Sequence, residues 1–241
     1  VSILKGVNCL SPHRGHIDIL ESMNVKKAKS FDALYESWRS VFSTSILTEH
    51  FYVELFDWYM WATGSKSKIH FPSVIGSNGV ELESIETKVV RLLTRLMFVW
   101  FIKQKGLIPE SLFDVDYLKT ILKDFNPQSD STGEYYNAIL QNLFFATLNR
   151  AIIDEDGKRR FATAVNHLYR YEELFSIPQE SVIDIFAQIP YVNASLFECL
   201  DKTKCNDGVV KAYNDGFSRN DTRDGSGIYR HRAVVPNKLF F

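Results

Sequence analysis

The chain has 241 residues, enough for one large domain or two small ones. Hydrophobic residues make up 45% and charged residues 24%, the balance of an ordinary globular protein, and 18 Phe with 11 Tyr provide for a sizeable core. With 28 basic against 29 acidic side chains the net charge is −1, which argues against strong DNA binding by the chain alone, because phosphate neutralisation demands a positive excess.

Three cysteines (Cys9, Cys199 and Cys205) leave one over in any pairing scheme. A secreted-type disulfide framework is not expected, and a reduced, cytoplasmic setting is. The longest apolar run, residues 96–102, is far below the roughly 20 residues needed to span a bilayer, so no membrane partner is expected. The opening Val1-Ser2-Ile3-Leu4-Lys5 turns polar too soon for a secretory signal, and the missing initiator Met leads us to expect a piece of a longer chain.

Residues 1–4 read as a short strand, 9–16 as a loop and 17–23 as a short helix. The first firm helix spans 30–42, where Phe31, Leu34, Tyr35, Trp38, Val41 and Phe42 recur on one face and Ser30 can cap the start. Ser43-Thr44-Ser45 breaks it. A second helix over 47–62 carries Phe51, Tyr52, Leu55, Phe56, Trp58, Tyr59 and Trp61, too many aromatics for one narrow stripe. Residues 64–83, with Gly64, Pro72, Gly76 and Gly79, form a long polar connection.

The clearest helix opens at Ser84 and runs to Lys105. Ser84 can cap it and Glu86 suits its positive end, although Thr87 stands where a capping box needs an acid. Ile85, Val89, Leu92, Leu93, Leu96, Met97, Trp100 and Phe101 are expected in the core. From Leu96 onward the helix is apolar nearly all round. Gly106 suits the left-handed position after a helix end, with Pro109 beyond it. Short helices follow over 109–113 and 116–124, then a loop over 126–133. A strong helix spans 134–150 with Tyr136, Ile139, Leu140, Leu143, Phe144 and Leu148 in register. A hairpin is expected near 151–162, its tip at Asp154-Glu155-Asp156-Gly157-Lys158. Two short helices cover 169–175 and 179–188, Pro178 being allowed at the start of the second. Residues 201–241 read as loop with a few short strands, and the final Leu239-Phe240-Phe241 as an apolar end. The expected fold is therefore mainly α. It is an irregular multi-helix bundle with a long central helix, a small β-hairpin and a loop and short-strand C-terminal segment. The expected organisation is a linker or tail at 1–29, a helical domain at 30–200 and a loop-rich segment at 201–241.

No complete catalytic motif is present. His13-Arg14-Gly15-His16 with Cys9 matches no zinc spacing, and Cys199 and Cys205 lack a second pair. Asp154, Glu155, Asp156 and Lys158 crowd one turn instead of lying on adjacent strands around a metal. Asn126-Pro127-Gln128-Ser129 lacks the second Pro and the ring with which adenine methyltransferases hold a flipped base. Gly225-Ser226-Gly227 lacks the strand and helix of a nucleotide-binding turn. No catalytic, cofactor-binding or metal-binding residue is assigned. The candidate nucleic-acid contacts are Arg91 and Arg95 on the long helix, and Arg219, Arg223, Arg230 and Arg232 near the end, with His231 among them. Arg91 and Arg95 lie one turn apart and can grip a phosphate or bridge to a neighbour. The later group is interleaved with Asp221 and Asp224, which cancel much of its charge.

Several stretches carry a family resemblance in combination. They are Pro12-His13-Arg14-Gly15-His16-Ile17-Asp18-Ile19-Leu20; Phe51-Tyr52-Val53-Glu54-Leu55; residues 93–109, from Leu93-Thr94-Arg95-Leu96-Met97-Phe98 to Leu107-Ile108-Pro109; residues 136–149, from Tyr136-Asn137-Ala138-Ile139-Leu140-Gln141-Asn142 to Thr147-Leu148-Asn149; and Ile189-Pro190-Tyr191-Val192-Asn193-Ala194-Ser195-Leu196-Phe197-Glu198. In this order they resemble the helical region preceding the methylase domain of large type IIG-like fused restriction–modification enzymes, which are adenine-specific DNA methyltransferases. One departure is Asn193-Ala194-Ser195-Leu196-Phe197, where the family pattern reads Asn-Gly-Gly-Leu-Phe. The resemblance implies a bacterial parent protein that uses S-adenosylmethionine, modifies adenine at N6 and binds DNA. Neighbouring catalytic domains of the same chain, with an endonuclease activity among the options, belong to that picture. This region would act in it as an inactive helical spacer. An autonomous helical protein-interaction module, docking through 51–61, is the alternative, and a metal-dependent nuclease comes last.

Overall fold

The computed structural model describes residues 9–10, 17, 19–21, 23–25, 29–41, 44–64, 66–72, 81, 83–150, 169–192, 194–201, 213–218 and 222–241. The fold is mainly helical, and no sheet or barrel forms among the described residues. The principal elements are α1 (Phe31–Val41), α2 (Thr44–Thr63), α3 (Ile85–Gln104), α4 (Val115–Ile121), a wide π-helix (Tyr135–Leu148) and α5 (Gln179–Ala187). Among the described residues, isolated bridges join His70 to Val234, Leu122 to Phe175 and Arg223 to Tyr229. No described helix is long and apolar enough to cross a membrane. The expected hairpin near 151–162 lies outside the described residues.

The chain divides into two compact units, Val1–Met60 and Trp61–Phe241. In the first, Ser30 caps α1, its Oγ accepting the Ala33 N–H at 3.1 Å. No residue of α1 is buried, and Phe31, Tyr35 and Trp38 all lie on the surface. Trp38 Nε1 donates to the Met23 carbonyl at 3.0 Å. α2 starts at Thr44, inside the Ser/Thr run expected to be a break, because such residues open helices as readily as they end them.

In the second unit, α3 begins and ends as its residues dictate. Ser84 Oγ accepts from Thr87 N. At the far end Gly106, at φ +73°, donates to the Lys103 carbonyl and Leu107 N reaches Ile102 O, the paired bonds of a Schellman cap. α3 is buried along Lys88, Val89, Leu92, Arg95, Val99 and Ile102. Met97, Trp100 and Phe101, expected in the core, are about half exposed. An all-round apolar run cannot reveal which side is covered. Here Lys103 and Lys105 partly shield the exposed rings, their ammonium groups 4.8 Å from the Trp100 centroid and 5.4 Å from that of Phe101.

The central buried helix is the one at Tyr135–Leu148, where all fourteen residues are buried. It is wound wide, with bonds spanning five residues in place of four: Asn149 N donates to Phe144 O at 3.2 Å. Side chains join this pattern. Thr147 Oγ1 donates to Asn142 O and Asn142 Nδ2 to Ala138 O. The C-terminal segment, expected to stand apart as 201–241, enters this unit's core. Phe217, Ala233, Val235 and Asn237 are fully buried, and Gln141 and Asn137 bond its carbonyls. Phe240 and Phe241 are packed, with ring centroids 5.2 and 4.9 Å from Tyr135. The polar composition concealed this, since the segment's backbone groups find partners on a buried helix and not in water.

Candidate functional site

Two polar features stand out in the second unit. The first is a buried ion-pair network. Arg95, 2% exposed, points from α3 into the interior. Its guanidinium grips Asp215 through Nη1–Oδ1 at 2.6 Å and Nη2–Oδ2 at 3.4 Å. Nε donates to Leu196 O at 2.8 Å and Nη2 to Glu198 O at 2.9 Å. It also lies 4.8 Å from the Phe145 ring centroid. Arg91 Nη1 is 3.6 Å from the same Asp215 oxygen, while its Nη2 bonds Glu83. Asp215 accepts the Leu200 N–H as well, at 2.7 Å. Asp201 completes the turn by accepting the backbone N–H groups of Asp215, Gly216 and Phe217 at 2.8, 3.1 and 2.8 Å.

Cys199, Asp201 and Asp215 bring ligand-type atoms within 4.8 Å of one another. They do not fit a metal. A cation at Asp215 would compete with a guanidinium already bonded at 2.6 Å, and both Asp201 oxygens are engaged by N–H groups. Burial, then the adjacent carboxylates, push the Cys199 thiol far up, so it stays protonated near neutral pH.

Burial and the Asp215 carboxylate also push Asp201 up to about 7, against the pull of its three N–H donors. A carboxyl raised in this way contributes stability that is fully present below its ordinary value of 3.8 and is lost as pH rises through about 7. We expect carbon NMR to place the Asp201 midpoint near neutrality. A midpoint in the usual aspartate range would contradict the environment just described.

The second feature is a cleft of about 390 Å³ beside the π-helix. Lys68, His70, Arg223, Tyr229 and Arg232 line it, with Asn137 at its base. Arg232, 6% exposed, donates from Nε to Asn137 Oδ1 at 3.3 Å, lies 3.7 Å from Glu173 and stacks over Tyr171 at 4.5 Å. Asn137 and Tyr171 both donate to Gln141 Oε1, at 2.9 and 2.8 Å, which joins the cleft to the ion-pair network through Gln141 Nε2 and the Asp215 carbonyl. On the opposite side Asn142 bonds both backbone groups of Arg170 at 2.8 Å. His70 Nε2 pairs with the Tyr229 carbonyl at 2.6 Å, and burial lowers its pKa, so its ring is neutral near pH 7.

The candidate arginines are thus distributed unevenly. Arg91, Arg95 and Arg232 are used inside the protein; Arg223 and Arg230 are exposed; Arg219 lies outside the described residues. His13, Arg14, His16, Cys205 and the turn at Asp154–Lys158 also fall outside them, while Cys9 is exposed. Asn126 forms a turn, its Oδ1 accepting from Gln128 N, and Gly225 sits in the tight turn that Asp224 Oδ1 closes on Ser226 N and Ile228 N. The sequence reading missed Asp201, Asp215 and the amides Asn137, Gln141 and Asn142. The amides did carry a signal: in a largely apolar helix, Gln141 and Asn142 stand four and five residues after Asn137. Comparison with protein-family models, with curated proteins and with solved structures finds no match to this chain.

Proposed function

We propose that this chain is the helical region preceding the methylase domain of a fused, type IIG-like DNA adenine methyltransferase, a spacer that sets the positions of catalytic domains and touches the DNA backbone. The observation that carries this reading is where the family-like stretches meet. Three of the five take part: Arg95 and Phe98 come from residues 93–109, Phe144 from 136–149, and Leu196 and Phe197 from 189–198. They converge on one buried centre, with Arg95 bonded to Leu196 O and the Phe197 ring 5.6 and 5.8 Å from those of Phe98 and Phe144. A combination of motifs that builds one packed centre is a combination a family would need to keep together. The inward use of Arg95, Asp215 and Asp201 also suits a scaffold, since carboxylates bonded to N–H groups are not placed to activate water or bind a catalytic metal. By the resemblance, S-adenosylmethionine and the methyl transfer belong to residues downstream. The parent gene should therefore encode, after Phe241, a Gly-rich cofactor loop followed by Asn-Pro-Pro-aromatic. A downstream segment without them overturns the assignment.

The exposed rings of Phe31, Tyr35, Phe51, Tyr52 and Phe56 on α1 and α2 favour a second reading, a module that docks on protein. Duplex-DNA binding measured at two salt concentrations separates the two. Weak, salt-sensitive binding supports the spacer, and none at low salt supports the docking module.

A further inference from the structure

We propose that the cleft beside the π-helix is a phosphate-binding site, with Lys68 and Arg223 gripping the phosphate oxygens. Three cationic side chains line this one cleft, Lys68 from one part of the chain and Arg223 and Arg232 from another. The two carboxylates in its wall are already engaged: Glu134 Oε2 accepts from Asn237 Nδ2 at 2.6 Å, and Glu173 lies 3.7 Å from Arg232. Among the described residues no carboxylate pairs with Arg223, so its positive charge is left at the mouth. Lys68 pairs with Asp130 at 2.8 Å, but both side chains are more than half exposed, and such a pair exchanges readily for a stronger anion. Arg223 is held in a fixed plane. It stacks over Tyr229 at 4.0 Å and donates to Gly227 O and the Tyr229 hydroxyl, which leaves three of its five N–H donors for a ligand. Two cations reaching in from separate segments suit the tetrahedral spread of phosphate oxygens better than a flat carboxylate, which one arginine fork satisfies alone. The chain entering the π-helix also forms part of the wall, so the positive end of that helix adds in the same sense.

The phosphate can belong to a DNA backbone or to a free phosphate compound. The DNA source rests on the function proposed above, whereas phosphate binding itself does not, and it can be measured on this chain with no methyl transfer. Exposed Arg230, on the same hairpin as Arg223 and bonded across it to Thr222 O, extends the basic surface outward from the cleft. The test is to titrate the full chain with pyrophosphate and with a short DNA duplex. The His70 ring proton resonances report on the cleft, and Lys68→Ala and Arg223→Ala, both at exposed positions, serve as variants. We expect the His70 signals to move with at least one probe, and the affinity to fall about tenfold or more in either variant. Movement with duplex identifies the backbone as the source, and the salt slope of binding should then fall by about 1 for each variant. Movement with pyrophosphate alone identifies a free phosphate compound. Unmoved His70 signals with both probes, or binding that both variants leave intact, overturns the proposal.

Discussion

Replacing Arg95 with Met should lower the unfolding free energy by about 3–5 kcal/mol, the loss typical of breaking one side of a buried ion pair. The reason lies in what stays behind. Asp215 would keep the Leu200 N–H and a guanidinium nitrogen of Arg91 at 3.6 Å, but lose its 2.6 Å partner in a dry interior. The carbonyls of Leu196 and Glu198 would lose their donors at the same time. Urea unfolding monitored by circular dichroism measures the loss. Adding Asp215→Asn to Arg95→Met should recover part of it, because no buried charge then remains unpaired. Full additivity of the two substitutions would mean that the pair is not coupled as the geometry demands.

The second large effect is expected at Gly216. Its φ of +59° already disfavours a side chain, and a Cβ there would stand 2.4 Å from Ala233 N and 2.7 Å from Ala233 Cβ. The obstacle is largely backbone and cannot swing aside, for Ala233 N donates to Gly216 O at 3.0 Å and Ala233 O accepts from Asn137. Gly216→Ala should therefore cost more than about 4 kcal/mol, combining backbone strain with overpacking. Gly106→Ala is the matched control. That glycine also has positive φ, but a Cβ would meet nothing within 4 Å, so the cost should stay at about 1–2 kcal/mol. Similar melting temperatures for the two variants would show that close packing at Gly216 is not what restrains the turn.

These two sites differ in how far the sequence foretold them. Helix starts and stops were legible because their chemistry is local: Ser30, Ser84 and Gly106 act through bonds within four or five residues. α5 was legible for the same reason, between Pro178 and Gln188. Burial was less so. Met97, Trp100 and Phe101 look like core on an apolar helix yet reach the surface, since what covers a face is decided by chain far away in sequence. The π-helix register was not legible, because Tyr136, Ile139, Leu140, Leu143 and Phe144 fit ordinary helical spacing equally well. The ion-pair network was hidden most completely. Arg95 and Asp215 are 120 residues apart, and Asp215 sits in a stretch whose Asp, Asn and Gly content reads as solvated loop. Arg91 and Arg95 stand one turn apart in the sequence, a spacing that suits gripping a phosphate or bridging to a neighbour. The structure places Asp215 within 3.6 Å of both.

The inward commitment of these charges fits the proposed function, in which this region positions chemistry done elsewhere. The most direct measurement is transfer of labelled methyl groups from S-adenosylmethionine to duplex DNA, run side by side with this chain and with the longer parent protein. The proposed function predicts methylated adenine with the parent and none with the chain alone. Methyl transfer by the isolated chain, or none by the parent, would contradict it.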